Sequence, residues 1–165
     1  MRKKNRILAL LIFTFLMFGL MGCGSVEDKA AEKAAEKIVE NATGAEVDIN
    51  EDGVTVDSED SSLQTGQQLD WPEDDMGDLP EPKATITGVI TVAQGACTVS
   101  FSKMTVNDAK EYMAELTKMG FKNGMNIADQ ESLALTGARD DGSSVTFAYN
   151  IPEQEGTITY GKITQ

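Results

Sequence analysis

The chain has 165 residues, enough for one ordinary domain with accessories. Its 27 acidic residues against 14 basic ones give a formal charge of −13, which opposes binding to nucleic acid or to anionic headgroups. Histidine is missing altogether, and with it the commonest general base and metal ligand.

At the N-terminus, Arg2, Lys3, Lys4 and Arg6 precede Ile7–Met21, a run that is apolar apart from Thr14 and Gly19. As a helix this run reaches about 22 Å, short of a hydrocarbon core of roughly 30 Å but suited to the apolar region of a secretory signal. The flank that follows is acidic and carries no basic stop-transfer cluster, so residues 23–165 are expected to be translocated. Leu20-Met21-Gly22-Cys23 resembles the lipobox of bacterial lipoproteins. The resemblance implies that residues 1–22 are a lipoprotein signal peptide and that Cys23, the first mature residue, carries a diacylglyceryl thioether. It also implies attachment to the extracytoplasmic face of the cell membrane, where two acyl chains hold stably and one does not. Loss of residues 1–22 leaves ten basic residues against 27 acids, a formal charge of −17.

Cys23 and Cys97 are the only cysteines, so a lipid on Cys23 leaves no intramolecular disulfide. Cys97, Val99 and Phe101 alternate with polar residues, the pattern of a strand with one buried face. Cys97 therefore reads as a small buried hydrophobe. No imidazole exists to activate it as a nucleophile.

Residues 23–44 carry two Ala-Ala-Glu-Lys repeats that suit a solvated helix ending near Asn41–Gly44. The apolar positions Ala31, Ala35, Ile38 and Ala42 make only a thin stripe. Two readings stay open: a semi-rigid spacer, or a helix that packs on the next segment or on a partner. In residues 45–60, Asp48-x-Asn50-x-Asp52-Gly53-x5-Glu59 satisfies the EF-hand loop pattern, with hard oxygen ligands for a Ca2+ ion. Flanking Val47/Ile49 and Val54/Val56 suit instead an acidic β-hairpin turning at Asn50–Gly53. A weak calcium site on a hairpin that is not an EF-hand is the third possibility.

Residues 45–82 hold thirteen acids and no basic residue. Residues 61–83 read as a flexible, disordered acidic linker with too little apolar content to order itself. Trp71-Pro72 interrupts it. The tryptophan is expected either to dock on the following domain or to anchor a partner.

From Lys83 onward the chain changes character, with seven basic against nine acidic residues and clear periodicity. Residues 84–165 read as one domain. Strands are expected over Ala84–Val92 and Ala96–Ser102, a helix over Thr105–Met119, and further strands over Ser132–Ala138, Ser144–Asn150 and Thr157–Thr164. The expected fold class is α+β: a small antiparallel sheet in ββαβββ order with one packed helix, preceded by the solvated helix, the acidic hairpin and the disordered linker. No nucleophile elbow, phosphate-cradling glycine loop or CxxC occurs, and each carboxylate has a solvated-face or turn explanation, so no catalytic residue is named. An exposed sheet edge is a candidate for strand addition by a partner.

The arrangement as a whole is similar to a group of small bacterial lipoproteins without a characterised activity, mostly from Gram-positive organisms. The likeness rests on the lipobox, the Ala/Glu/Lys helix, "GAEVDINEDGVTV", the Trp-Pro segment, "YMAELTKMGF" and "DDGSSVTFAYN". It implies a membrane-anchored binding or interaction module with an envelope or extracellular protein partner, and supplies no catalytic residue. A calcium-binding lipoprotein and an envelope or extracellular hydrolase are the alternatives.

Overall fold

A computed structural model describes residues 33, 36, 37, 39, 40, 44–50, 52–93 and 95–162. The expected signal peptide, Cys23 and most of the expected 23–44 spacer lie outside the described residues. The chain divides into two compact units, Met1–Ala34 and Ala35–Gln165, and every strand belongs to the second.

In that unit the strands are β1 (Glu46–Asn50), β2 (Gly53–Ser58), β3 (Ser61–Leu69), β4 (Thr85–Val92), β5 (Ala96–Ser102), β6 (Asn126–Ala128), β7 (Ser132–Ala138), β8 (Ser143–Asn150) and β9 (Glu155–Lys162). All nine pair antiparallel in one sheet, ordered β1-β2-β3-β4-β5-β9-β8-β7-β6. Two short helices interrupt them: α1 (Glu73–Met76) and α2 (Val106–Lys118).

This overturns the expected α+β fold in ββαβββ order. The molecule is β-rich, and the supposed preliminaries to the domain are part of its sheet. The segment expected to be a disordered linker contains a nine-residue strand, β3, and the acidic hairpin forms the sheet's first two strands. The physical reason lies in the backbone. Strand β3 has few apolar side chains, but β4 offers it an edge of unpaired N–H and C=O groups, and Leu63 and Leu69 sit opposite Ile90 and Ile86. A ladder of main-chain bonds needs no apolar run once a neighbouring strand is in place. Strand β6 is a further addition to the expected set; its three residues are too few to show a period.

The core lies on one face of β4–β9. Antiparallel register aligns Ile86, Phe101, Gly156, Tyr149 and Leu133 in one row, and Val89, Val99, Ile158, Phe147 and Leu135 in the next. Cys97, Tyr160, Val145 and Gly137 make a third. Phe101 and Phe147 lie 6.0 Å apart in stacked orientation, and Tyr112 of α2 meets Phe147 at 5.5 Å. Gly156 is required between two aromatic residues: a Cβ there would lie 2.7 Å from Phe101 and 2.2 Å from the Ala148 carbonyl.

Helix α2 starts at Thr105, whose Oγ1 accepts the Asp108 N–H at 3.2 Å, and buries Ala109, Tyr112, Met113 and Leu116 on the sheet. Met76 of α1 and Leu79 complete the cover. Gly77, at φ +62°, lets the chain leave α1 against Tyr160; a Cβ there would meet the Tyr160 Oη at 2.9 Å. Arg139 then fastens this segment to the β7–β8 turn. It donates to both Asp78 carboxylate oxygens at 2.7 and 2.8 Å, donates to Ser143 Oγ at 2.7 Å, and lies 4.5 Å over the Phe121 ring.

Candidate binding site

The acidic hairpin turns on Asn50. Its Oδ1 accepts from the backbone N–H groups of Asp52 and Gly53, both at 3.0 Å, and its Nδ2 donates to Asp48 Oδ1 at 3.3 Å. The amide is thus used inside the turn. Glu59 lies beyond the far end of β2, and six strand residues at about 3.3 Å each separate it from that turn by roughly 20 Å. The structure therefore brings Asp48, Asn50 and Asp52 to one end of the hairpin and leaves Glu59 at the other. Among the described residues no group of three or more Cys, Asp or Glu is arranged to hold a metal ion.

Cys97 is buried in the third core row, and burial pushes its thiol up to about 11. At neutral pH it stays a thiol, with Thr91 Oγ1 4.0 Å from its sulfur.

The opposite face of β4–β9 has no helix above it among the described residues. Its rows are short side chains: Thr98, Thr159, Thr146 and Thr136 in one, and Ser100, Thr157, Ala148 and Ala134 beside it. Thr98 and Thr159 share a hydroxyl hydrogen bond at 3.0 Å. At one end, the second row opens into a trough of about 810 Å³, walled by the segments that carry Glu131 and Pro152–Glu155. Glu153 bonds the Glu155 carboxyl and sets a second negative charge beside it, which raises the Glu155 pKa above its ordinary value. Both groups stand in solvent. Asn150 Nδ2 donates to Glu153 Oε2 at 3.2 Å and so orients one of them.

Trp71 lies on the helix-covered side, at the margin of the cover. It is half-buried, packed against the core where β3 ends and α1 begins. Beside it a groove of about 360 Å³ runs over β3 and β4, bounded by Gln64, Gln68, Asp70, Trp71, Asp75 and Thr91. Of these, only Trp71 is legible as a site residue in the sequence. The glutamines escape notice because β3 has the composition of a linker, and only its pairing with β4 shows which face they occupy. Nothing in the sequence flags the trough, whose floor joins residues far apart in the chain, such as Ser100 and Thr157 on adjacent strands.

Among the described residues no helix is long and apolar enough to cross a membrane. Compared with protein-family models, with curated proteins and with solved structures, the chain has no match.

Proposed function

We propose that the protein is a bacterial lipoprotein, attached through a lipid on Cys23 to the extracytoplasmic face of the cell membrane, where it acts as a non-enzymatic binding module for an envelope or extracellular protein. The observation that carries the binding reading is the uncovered sheet face, a broad surface of small hydroxyl and methyl side chains that ends in the 810 Å³ trough. Short side chains on paired strands form a stiff surface that loses little rotamer entropy when a partner covers it. The anchor reading is supported by the basic tip, the fifteen-residue apolar run and Leu20-Met21-Gly22-Cys23.

A hydrolytic reading gains nothing from the Glu153–Glu155 pair. Acid/base work by two carboxyls needs environments that drive their pKa values far apart, and solvent around both groups screens that split.

Two measurements test the proposal. Intact mass of the membrane-extracted protein is expected to begin at Cys23 with a diacylglyceryl addition; an unmodified Cys23 behind residues 1–22 overturns the anchor. A photo-crosslinking side chain at Thr146, on the open face, is expected to trap one envelope protein in cells, while the same group at Lys118, on the outer side of α2, traps none. Equal labelling from both positions, or none from Thr146, overturns the assignment of the face.

A further inference from the structure

We propose that the groove beside Trp71 binds one pyranose ring that carries no negative charge, neutral or amino-substituted, as at the end of an envelope or extracellular polysaccharide. This adds a small-ligand site on the other side of the sheet, and it stands or falls independently of the anchor and of the trough.

Size comes first. At about 360 Å³ the groove falls at the lower end of the roughly 300–1,000 Å³ range of small-ligand sites, room for one ring and a few waters. Its chemistry is mixed in the way a sugar requires. A pyranose presents a flat patch of C–H groups, ringed by hydroxyls that each donate and accept. Trp71, half-buried against the core, lines the groove with an amphipathic indole, and none of the aromatic pairs of the core includes it. Among the described residues, neither its indole N–H nor the side-chain amides of Gln64 and Gln68 have a protein hydrogen-bond partner, so these donors and acceptors face the groove and solvent. Asp70 and Asp75 add acceptors, and the Thr91 hydroxyl donates to Asp75 at 3.5 Å.

Charge narrows the class. Two carboxylates and no lysine or arginine line the groove, in a chain of formal charge −13, so uronic acids, sulfated sugars and nucleotides are disfavoured. Position narrows it further. The register of β3 on β4 shifts between Thr65 and Leu69, and a bulge of this kind re-aims the side chains next to it, here Gln68. The wall is fixed by the Met76 N–H, which donates to the Pro72 carbonyl at 3.0 Å, and the floor by buried Val89. Wall and floor are therefore held before the ligand arrives, whereas the exposed Gln64 and Gln68 side chains order on binding.

Trp71 is the only tryptophan, so emission excited selectively at the indole, beyond the tyrosine absorption, reports on this groove. The full chain, kept in a zwitterionic detergent without a sugar headgroup, is titrated with N-acetylglucosamine, glucosamine and glucuronic acid. A saturable change is expected for the first two with Kd of the order of 1 mM, and binding about ten-fold weaker or undetectable for glucuronic acid. Gln64→Ala and Gln68→Ala keep the reporter and lie on exposed positions. Each is expected to weaken binding by roughly five- to ten-fold without changing the melting temperature. No saturable change with the first two sugars at tens of millimolar overturns the proposal, as does equal binding of glucuronic acid or an unaltered response in the Gln64→Ala/Gln68→Ala double variant.

Discussion

The two ends of this one sheet are held together differently. Strands β4–β9 carry three rows of buried side chains beneath α1 and α2, with Phe101, Phe147 and Tyr149 at their centre. Strands β1–β3 carry no such rows. Apart from Val47, their residues are half-buried or exposed, and they hold by their ladders, by β4, and by Glu36 and Glu40. Those two glutamates precede β1 in helical conformation; Glu36 Oε1 accepts the Ile49 N–H at 2.9 Å and Glu40 Oε1 the Val47 N–H at 3.4 Å. Four residues of helix rise about 6 Å and two residues of strand about 6.7 Å, so the carboxylates match alternate amides of an edge strand. An acid-rich segment too polar to order itself is thus ordered when a finished sheet lends it an edge.

The contrast can be broken most forcefully in the core half. Phe147→Ala removes a fully buried ring from the central row and is expected to cost about 4 kcal/mol, with every strand lost in one transition during denaturant unfolding. Retained β1–β3 structure beyond that transition would mean that the wing does not depend on the core. Next, Arg139→Ala is expected to cost about 2 kcal/mol, because it removes the paired bonds to Asp78 and the contact with Ser143 and Phe121. The pH profile gives its signature. Asp78 is held below 3.8 chiefly by its hydrogen bond to Arg139, and Asp141 below 3.8 chiefly by the Ser143 hydroxyl. Their stabilisation is complete above 3.8 and is lost as pH falls through the lower folded values; in Arg139→Ala this acid-side loss is expected to shrink for Asp78.

A smaller effect should separate the two halves directly. Leu63→Ala, between Val56 and Ile90 on neighbouring strands, is expected to cost about 1 kcal/mol and to speed amide exchange in β1–β3 only. Exchange that rises equally in β8 would show one cooperative sheet and erase the distinction. The smallest expected change is in the trough. Glu155 is held above 4.5 by Glu153, so its ionised form is disfavoured in the folded state. Glu155→Gln is expected to raise the melting temperature slightly at pH 7, with the difference closing as pH falls through the raised folded value and gone below 4.5. A lower melting temperature at neutral pH would contradict the assigned repulsion.

Sequence periodicity carries far into the core half. The stripe Val106, Ala109, Tyr112, Met113 and Leu116 marks α2, and the alternation of Cys97, Val99 and Phe101 marks the buried side of β5, because burial on one face imposes a period. Where main-chain bonds do most of the ordering and apolar contacts are few, the imprint is faint. Ser61–Leu69 shows Leu63 and Leu69 six residues apart, set among serine, threonine, glutamine and glycine, a composition equally at home in a linker. The EF-hand match shows the opposite failure. Asp48, Asn50, Asp52, Gly53 and Glu59 have the right spacing, but spacing specifies a loop only if the chain curls, and β2 keeps it extended. Of the groove, Trp71 stands out as a lone aromatic in an acidic stretch, whereas Gln64 and Gln68 acquire meaning only from their place on a strand that periodicity does not show.

The glutamates at the outer edge have a mechanical consequence. A tether at the N-terminal side would pull on the chain where it enters β1, at the open end of the β1–β2 hairpin. Its ladder pairs would then open in succession from Glu46 towards Asn50, the weak mode of loading a sheet. Before that, tension would have to detach Glu36 and Glu40 from Ile49 and Val47. Two carboxylate–amide bonds thus stand in series ahead of the first strand. They can yield and re-form under small loads before any pair of the β1–β2 ladder opens.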